Sequence, residues 1–418
     1  MARSAEGCVE RLTLDTAPVR PSAAVVAPGS NAIAAPATSL HPTDTAAVRD
    51  IVRDVIERKA PLRIVGRGTW LDAGRPVADL PRLALDGLTG IVDYTPGDLT
   101  LTARAGTSLS EIAAATAANG QWLALMPWGG DSGSLGAVAA TGSAGPMGGA
   151  FGTPRDMVIG LEAVTGIGDV VRGGGRVVKN VAGFDLTRLM IGAWGTLGVL
   201  TEISVRLRAL PEHEATLALP LPVTPAQLTS LLTRIHAASV APLALELVGA
   251  ALAARLGLER RPQLIARLAG NSESVASQRD ALAQFGDLVE LDGGVWSALR
   301  IAEPAAASVV RLSGPVARFS ETWATAERIA ALVPNAFAHA TVLRAVARVV
   351  IPNDDDGLPS AAADALGALT RDVRVFERLP AALWPTLAPT AVADRISAGV
   401  RRAFDPHRLL NPGILGES

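Results

Sequence analysis

Three glycine-rich segments contain residues whose types and spacing suit the binding of an anion or a flat ring. The first, Gly66-Arg67-Gly68-Thr69, follows a short apolar run. Glycine tolerates positive φ and lets backbone N–H groups approach an anion, and Thr69 adds a hydroxyl donor. The segment therefore predicts either a plain tight turn or a phosphate-binding turn. It lacks the third glycine of the GxGxxG dinucleotide fingerprint, and the chain contains no GK[ST] of a P-loop.

The second segment, residues 127–152, contains nine glycines. Such a density costs backbone entropy, so a flexible linker is one interpretation. The embedded Leu135 and Val138 and the predicted strands on either side favour the other interpretation. In that interpretation the segment is a backbone cradle for a large cofactor that carries phosphate.

The third segment, Gly195-Thr196-Leu197-Gly198-Val199, runs into an alternating apolar strand. Its small residues would let a flat ring lie against the backbone, and a plain β-turn is the alternative. Both interpretations stay open from the residues alone.

Other residue types limit the chemistry that the chain can perform. The single cysteine, Cys8, excludes an internal disulfide, a thiolate zinc site and an iron–sulfur cluster built from this chain alone. The five histidines show no HExxH spacing. His339 is predicted to be a packed or partly exposed strand residue rather than a base. Lys179, one of two lysines, is interpreted as a solvated strand end rather than a residue with a specific role, and the seven tryptophans as core or interface rather than as a cofactor stack.

Hydrophobic periodicity predicts the elements that position these segments. Apolar residues at 48, 51, 52, 55 and 56 predict an amphipathic helix, and residues 62–65 a short buried strand. Ser108 and Glu111 have the spacing of a capping box for a helix. Residues 157–165 and 199–207 are predicted strands. From residue 212 strands and helices alternate, which predicts a separate α+β domain, and residues 394–404 are a predicted final helix.

The length and composition define the class of protein. The chain has 418 residues, of which 49% are hydrophobic and 19% charged, as in a globular protein of two or three domains. The net charge of −2, with no acidic or basic block, argues against nucleic-acid binding and polybasic membrane attachment. The sequence shows no apolar run long enough for a transmembrane helix and no secretory signal. We therefore expect a soluble, cytoplasmic protein.

The ordered motifs resemble the FAD-binding domain of the vanillyl-alcohol oxidase / p-cresol methylhydroxylase superfamily. The resemblance covers residues 40–211 and 396–413 and is weak between them. Residues 174–207 look most like the FAD-binding E subunit of glycolate oxidase. The motifs that carry it are Gly66-Arg67-Gly68-Thr69, Leu85-Asp86, Thr107-Ser108-Leu109, Gly133-Ser134-Leu135-Gly136-Ala137, Gly152-Thr153-Pro154-Arg155-Asp156, residues 179–186, Gly195-Thr196-Leu197-Gly198-Val199, Phe404-Asp405-Pro406 and Leu410-Asn411-Pro412-Gly413.

The resemblance implies an α+β fold built around a two-lobed FAD-binding domain. We expect a lead-in at residues 1–39, the FAD-binding domain at 40–211 with lobes 40–105 and 106–211, a smaller α+β cap at 212–393, and a C-terminal segment, 394–418, that packs on the FAD-binding domain. Pyrophosphate would lie against the first turn and residues 127–137, and the adenine and ribitol–flavin parts against 152–156 and 195–199. The implied cofactor-binding residues are Gly66, Arg67, Gly68, Thr69, Trp70, Pro127, Gly133, Ser134, Gly136, Ala137, Gly152, Arg155, Asp156, Gly198 and Val199.

The chain departs from the family pattern at three points. Many relatives carry a histidine near the first turn that bonds covalently to the flavin, whereas here Thr69-Trp70 occupies that place and no histidine lies between 42 and 212. We therefore expect non-covalent FAD. Ala137 replaces a usual glycine. The cap also lacks the His-rich metal and substrate motif of related D-2-hydroxy-acid dehydrogenases, so no metal site and no catalytic residue is assigned.

The resemblance implies the FAD-binding subunit of a glycolate oxidase (glycolate dehydrogenase) complex. In that family glycolate is oxidised to glyoxylate, and electrons pass through flavin to an iron–sulfur subunit, which must be another chain. A catalytic flavoprotein subunit is the other expected partner. Two alternatives remain open. One is a self-sufficient FAD-dependent 2-hydroxy-acid or alcohol dehydrogenase, and the other is a structural subunit that retains the fold without redox function.

Overall fold

The computed structural model describes residues 38–175, 185–221, 224–355, 357–370, 373–388 and 394–416. Lys179 and most of the predicted lead-in lie outside these residues.

The first lobe of the predicted FAD-binding domain is a helix against a small parallel sheet of order β1–β3–β2. Asp44 caps the helix by accepting a hydrogen bond from the Ala47 N–H, and the apolar stripe at Val48, Val52 and Val55 is buried. The amphipathic helix predicted here is confirmed. The elements are β1 (Ser39–Leu40), α1 (Thr45–Arg58), β2 (Arg63–Val65) and β3 (Arg82–Ala84).

The second lobe is a five-stranded antiparallel sheet of order β4–β5–β9–β7–β8, beside a two-stranded pair β10–β6. The predicted capping box is present, since Ser108 Oγ accepts from the Glu111 N–H and Glu111 accepts from the Ser108 N–H. The elements are β4 (Ile91–Thr95), β5 (Thr100–Arg104), α2 (Leu109–Ala117), β6 (Gln121–Trp122), α3 (Leu135–Thr141), α4 (Pro154–Met157), β7 (Val158–Thr165), β8 (Val170–Gly174), α5 (Leu186–Met190), β9 (Gly198–Arg206) and β10 (Arg208–Ala209).

The expected division between the lobes at residue 105 is wrong. Strands β4 and β5 belong to the second sheet, because β5 pairs with β9 over its whole length. Leu101 and Ala103 of β5 are fully buried in the core that this sheet shares with the first lobe. The division therefore falls before β4.

The cap is one antiparallel sheet of eight strands with order β14–β11–β13–β12–β16–β17–β15–β18. Its helices are capped by local signals, such as the capping box of Thr224 and Gln227 on α6. The elements are β11 (His213–Pro220), α6 (Pro225–Ala237), β12 (Ala244–Val248), α7 (Ala250–Arg255), β13 (Gln263–Gly270), α8 (Ser272–Ala283), β14 (Val289–Leu291), α9 (Val295–Arg300), β15 (Ser308–Ser313), α10 (Phe319–Ala330), β16 (Phe337–Thr341), β17 (Val346–Ile351), α11 (Ser360–Gly367), β18 (Arg374–Arg378) and α12 (Trp384–Leu387). The final helix, α13 (Arg395–Phe404), packs instead on the core of the FAD-binding domain.

The two faces of the cap sheet have different partners. Residues such as Leu245 and Val349 pack on the outer face against α6, α8 and α10. Val248 and Phe337 on the inner face share a core with Trp128 of the FAD-binding domain. The inner face therefore borders the FAD-binding domain.

The C-terminal segment after α13 packs on the first lobe. Leu410 forms a parallel bridge with Leu62, and both side chains are buried in the FAD-domain core. The buried carboxylate of Asp405 accepts hydrogen bonds from the N–H groups of Leu409 and Leu410. This fixes Asn411 beside strand β2, where its side-chain oxygen accepts from the Ile64 N–H at 2.7 Å.

The buried carboxyl of Glu327 on α10 generates a prediction of pH-dependent stability. Burial raises the pKa of Glu327 to about 7. This pKa is higher than in the unfolded chain, so ionisation of Glu327 lowers the free energy of unfolding. The protein has its full stability, with respect to this group, below the unfolded pKa, and it loses that stability as pH rises through about 7. Glu327→Gln cannot ionise, and we expect it to be more stable than the wild type at pH 8.5 by about 1–3 kcal/mol but not at pH 4.

Chemical unfolding at the two pH values measures the difference. The matched control, Glu57→Gln, removes an exposed carboxylate from α1. A wild type that gains stability relative to Glu327→Gln as pH rises would contradict the assignment.

Candidate functional site

A narrow cleft runs between the turn after β2 and helix α3. Its volume is about 110 Å³, and it borders the end of β9 and the C-terminal segment. Eight of the residues predicted from the sequence line it, namely Gly66, Arg67, Gly68, Thr69, Trp70, Gly136, Ala137 and Gly198. Thus the structure brings the first turn, the glycine-rich segment and the third motif together.

Two glycines allow the turn to approach its neighbours closely. A Cβ built on Gly66 would lie 2.4 Å from Ser134 Oγ, so a side chain there would displace α3. Gly68 has φ of +73°, a conformation that L side chains rarely adopt, and a Cβ there would meet only Leu71 at 3.9 Å. The turn therefore presents its backbone to the cleft.

Four further predicted residues, Pro127, Gly133, Ser134 and Val199, are not among the described residues that line the cleft. A Cβ built on Gly133 would lie 3.6 Å from Thr69 Oγ1, and Ser134 caps α3. Pro127 accepts a hydrogen bond from Arg300 Nε at 2.7 Å through its carbonyl. Val199 is fully buried in the core.

The Gly152–Asp156 motif forms a local structure. Asp156 accepts hydrogen bonds from Thr153 N–H at 2.8 Å and Thr153 Oγ1 at 2.9 Å, which completes the capping box of α4. These bonds hold the pKa of Asp156 below its usual value. Gly152, Arg155 and Asp156 are not among the described residues that line the cleft or the larger cavity beside it.

The cleft opens into a larger cavity of about 760 Å³, here called the chamber, between the FAD-binding domain and the cap. Trp70, Thr141, Trp194 and Ile414 line both spaces. The Trp70 and Trp194 rings stack with centroids 6.4 Å apart. Sequence reasoning missed Trp194, and its interpretation of the tryptophans as core or interface does not fit these two. The charged residues of the chamber wall are Arg75, Arg311, Arg344, Arg348, Arg374 and Glu377.

Arg348 is the most tightly held of these cations. Its side chain is 3% exposed, and Glu303 and Glu377 bind it, with Glu303 Oε1 at 2.6 Å. Burial lowers the pKa of Arg348, but the two carboxylates more than offset this, so the pKa is raised overall. Burial also disfavours the charged form of Glu303 and by itself raises its pKa. The nearby Arg348, His339 and Arg378 more than offset this, so the pKa of Glu303 lies well below the usual range. Arg348 and Glu303 are therefore both charged at neutral pH.

Arg344 and Arg378 are cap arginines that could bind a substrate carboxylate, but only Arg344 of the two lies in the chamber wall. Arg344 lines the chamber, and burial together with the nearby Arg311 lowers its pKa. Arg378 is buried and bonds to Glu303 Oε2 at 2.6 Å and to Asp72 Oδ2 at 2.9 Å. Arg378 therefore links the cap to the FAD-binding domain.

His339 is buried on β16, as the sequence predicted for a packed strand residue. It is 1% exposed and lies behind Trp128, with ring centroids 4.6 Å apart. In the described ranges, no group of three His, Cys, Asp or Glu residues is arranged to hold a metal ion. None of the helices in these ranges combines the length and apolarity needed to cross a bilayer.

Comparison with known proteins supports the predicted cofactor. Residues 36–174 match the family described as "FAD binding domain". The turn, α3 and the chamber-facing tryptophans fit this cofactor, because the glycines leave backbone groups exposed along a cleft that continues into an aromatic chamber. FAD is thus the cofactor, as the sequence predicted.

The relatives support the predicted resemblance. The chain is 44% identical to glycolate oxidase subunit GlcE of Escherichia coli over 174 residues, 41% of this chain and 49% of that protein. It is 28% identical to the D-2-hydroxyglutarate dehydrogenase of Xanthomonas citri over 80% of this chain and 79% of the other. The chain matches about half the length of the E. coli subunit.

The structural comparison confirms the fold. A structure of p-cresol methylhydroxylase with substrate bound has a TM-score of 0.68 and 15% identity, and the match covers 90% of this chain and 88% of that one. The predicted α+β architecture with a p-cresol methylhydroxylase-type FAD-binding domain is therefore correct.

Gly68 provides a direct test of the cleft. We expect Gly68→Val to lower FAD retention at least about tenfold, because the side chain would point into the cleft from a backbone that disfavours it. The matched control is Gly257→Val in the cap, which has φ of +76° and open space around its Cβ. FAD retained after desalting, relative to unfolding temperature, measures the effect. Equal FAD retention in the two variants would exclude residue 68 from the cofactor site.

Proposed function

We propose that the chain is the FAD-binding subunit of a glycolate oxidase (glycolate dehydrogenase) complex. The observation that carries this proposal is the 44% identity to subunit GlcE, joined to a cofactor cleft that opens into an arginine-lined chamber. A small anionic hydroxy acid suits such a chamber, because its carboxylate needs a cationic partner.

The cofactor residues fall into two groups under this proposal. The backbone of Gly66–Trp70 and of residues 133–137 would hold the pyrophosphate through N–H groups. Gly198 would border the flavin part, and the buried Val199 would support Gly198 from the core. Pro127 would act indirectly, through the loop that Arg300 anchors. When bound, FAD supplies a two-electron acceptor for the hydroxyl-bearing carbon.

We propose that the cofactor is held without a covalent bond. No His, Cys or Tyr occurs among the described residues that line the cleft and the chamber. The described residues around the cleft and the chamber therefore include no nucleophile of these types to which the flavin could be attached.

The chamber supplies a carboxylate anchor more readily than a base. Arg344 and Arg311 can bind a substrate carboxylate, whereas oxidation also requires a group that takes the hydroxyl proton. Glu377 is the one carboxylate among the described chamber residues, and it is already paired with Arg348 and Arg311. The shortage of a free base supports dependence on a catalytic flavoprotein subunit.

The electron path also requires another chain under this proposal. The sequence has one cysteine and cannot build an iron–sulfur cluster by itself. An iron–sulfur partner subunit would accept the electrons from flavin.

A self-sufficient 2-hydroxy-acid dehydrogenase is the second candidate. The match to a D-2-hydroxyglutarate dehydrogenase extends over 80% of the chain and so includes much of the cap. Under this alternative the chamber itself would carry out substrate oxidation.

Acid precipitation tests the mode of attachment. We expect trichloroacetic acid to release the yellow cofactor into the supernatant, because no covalent bond would hold it to the pellet. Absorbance of both fractions gives the result. Flavin that stays with the washed, redissolved pellet would show a covalent link.

Anaerobic spectroscopy separates the two candidate functions. We expect glycolate or D-lactate to leave the flavin of the isolated chain oxidised, since the chamber lacks a free base, while added dithionite reduces it fully. Adding the catalytic and iron–sulfur subunits should then give glycolate-dependent electron transfer. Rapid bleaching of the isolated chain by substrate would instead support the self-sufficient dehydrogenase.

A further inference from the structure

A row of charged side chains crosses the inner face of the cap sheet. Arg311 on β15, Arg348 on β17 and His339 on β16 stand directly opposite one another in register. Glu246 on β12 is the diagonal neighbour of His339, because it pairs with Thr341 two positions along. The residues immediately before and after these on their own strands face the helices of the cap. Because successive side chains of a strand point to opposite faces of the sheet, this charged row faces the chamber side.

Carboxylates alternate with the cations of this row. Glu377 lies between Arg348 and Arg311, and Glu303 lies between Arg348 and His339. Glu246 flanks the other ring nitrogen of His339, with Oε2 at 3.6 Å from Nδ1. This is an ion-pair distance rather than a hydrogen bond.

Glu246 depends on His339 for its charge balance. It is 0% exposed, and neither of its oxygens accepts a hydrogen bond from a described residue. In the part of the chain that the structure describes, His339 is the one basic residue within 4.0 Å of that carboxylate. An uncompensated buried charge is strongly destabilising, so an ionised Glu246 needs the imidazolium of His339 beside it.

The His339 ring and Arg348 together fix Trp128. The guanidinium of Arg348 lies 4.8 Å from the Trp128 ring centroid, and the imidazole contacts the same indole edge-on. Arg348 and Trp128 both line the chamber, whereas His339 does not. These two residues therefore connect His339 to the chamber wall.

We propose that His339, held as an imidazolium between Glu246 and Glu303, is a positioning residue that keeps Arg348 and Trp128 in place at the chamber wall. If His339 were neutral, Glu246 would attract Arg348, the cation opposite His339 on the next strand. Arg348 would then leave Glu377 and the Trp128 face, and the anion-binding wall would change. The substrate aspect of this inference rests on the proposed hydroxy-acid function.

The role has a defined pH dependence. His339 is faced by Glu246 from β12, Glu303 from the loop after α9, Arg348 from β17 and the Trp128 ring. Burial and Arg348 lower the pKa of His339, but the two carboxylates more than offset them, so the pKa is raised. The charge is therefore present at neutral pH and is lost as pH rises through the raised value.

The test uses the FAD-loaded full chain and the variants His339→Gln, Glu246→Gln and the double variant. Oxalate, a small dicarboxylate that cannot be oxidised to a 2-oxo acid, is titrated from pH 6 to 10 and followed by the flavin absorption spectrum. Thermal unfolding is recorded across the same range. Glu246→Gln is nearly isosteric and keeps the test usable if His339→Gln does not fold.

We expect wild-type affinity for oxalate to fall at alkaline pH and Glu246→Gln to shift this fall to lower pH. His339→Gln should bind oxalate about tenfold more weakly at pH 7, and the charge-balanced double variant should recover most of the loss. Binding and pH profiles equal to wild type in every variant would overturn the proposal. A double variant as weak as His339→Gln would overturn it too.

Absence of any spectral change with wild-type protein would contradict the proposed function instead. The unfolding curves then decide the inference. A loss of wild-type stability at alkaline pH that is missing from the double variant supports the His339–Glu246 ion pair. The same alkaline loss in all four proteins would overturn it.

Discussion

The carboxylate of Glu303 is the contact on which the geometry of the site depends. One oxygen binds Arg348 and the other binds Arg378, and both arginines are buried. Arg378 continues to Asp72, which follows the cofactor turn. Because removing one member would leave a buried charge unpaired, these groups hold the cap strands β17 and β18 and the loop after the turn in one arrangement.

A second set of contacts holds the glycine-rich loop from the same side. Arg300 on α9 donates to the Pro127 carbonyl and pairs with Asp131 at 2.7 Å. Trp128 lies between these anchors and packs on Arg348. Thus the cap fixes two segments of the FAD-binding domain, which explains why cleft and chamber form a continuous space. Cap and cofactor domain act as one structural unit.

Local signals in the sequence were sufficient for individual elements of the fold. Helix α1, the capping box at Ser108 and the strands at 158–165 and 198–206 follow from periodicity and caps within short windows. The first turn and its glycines were also predictable, because positive φ and close backbone approach are local requirements. The lobe division was not, since β5 pairs with a strand about 100 residues later.

The charged groups of the cap sheet had no sequence signal, because Glu246, His339 and Arg348 become neighbours only through strand pairing. The return of the chain that brings Asn411 to β2 was implied by the family resemblance and by no local pattern. In the Gly152–Asp156 motif, Thr153 and Asp156 form the cap of helix α4, and a role of the motif towards the cofactor stays a prediction.

Under the proposed function, the turn, α3 and the third glycine-rich segment form a site for the whole dinucleotide. Calorimetric titration of the cofactor-free full chain with FAD and with FMN tests this site, because FMN lacks the pyrophosphate linkage and adenosine. We expect stoichiometric FAD binding and FMN binding weaker by about a hundredfold or more, since the exposed backbone of the cleft has no second phosphate to bind in FMN. Equal affinity for the two, or no binding of FAD by folded protein, would contradict it.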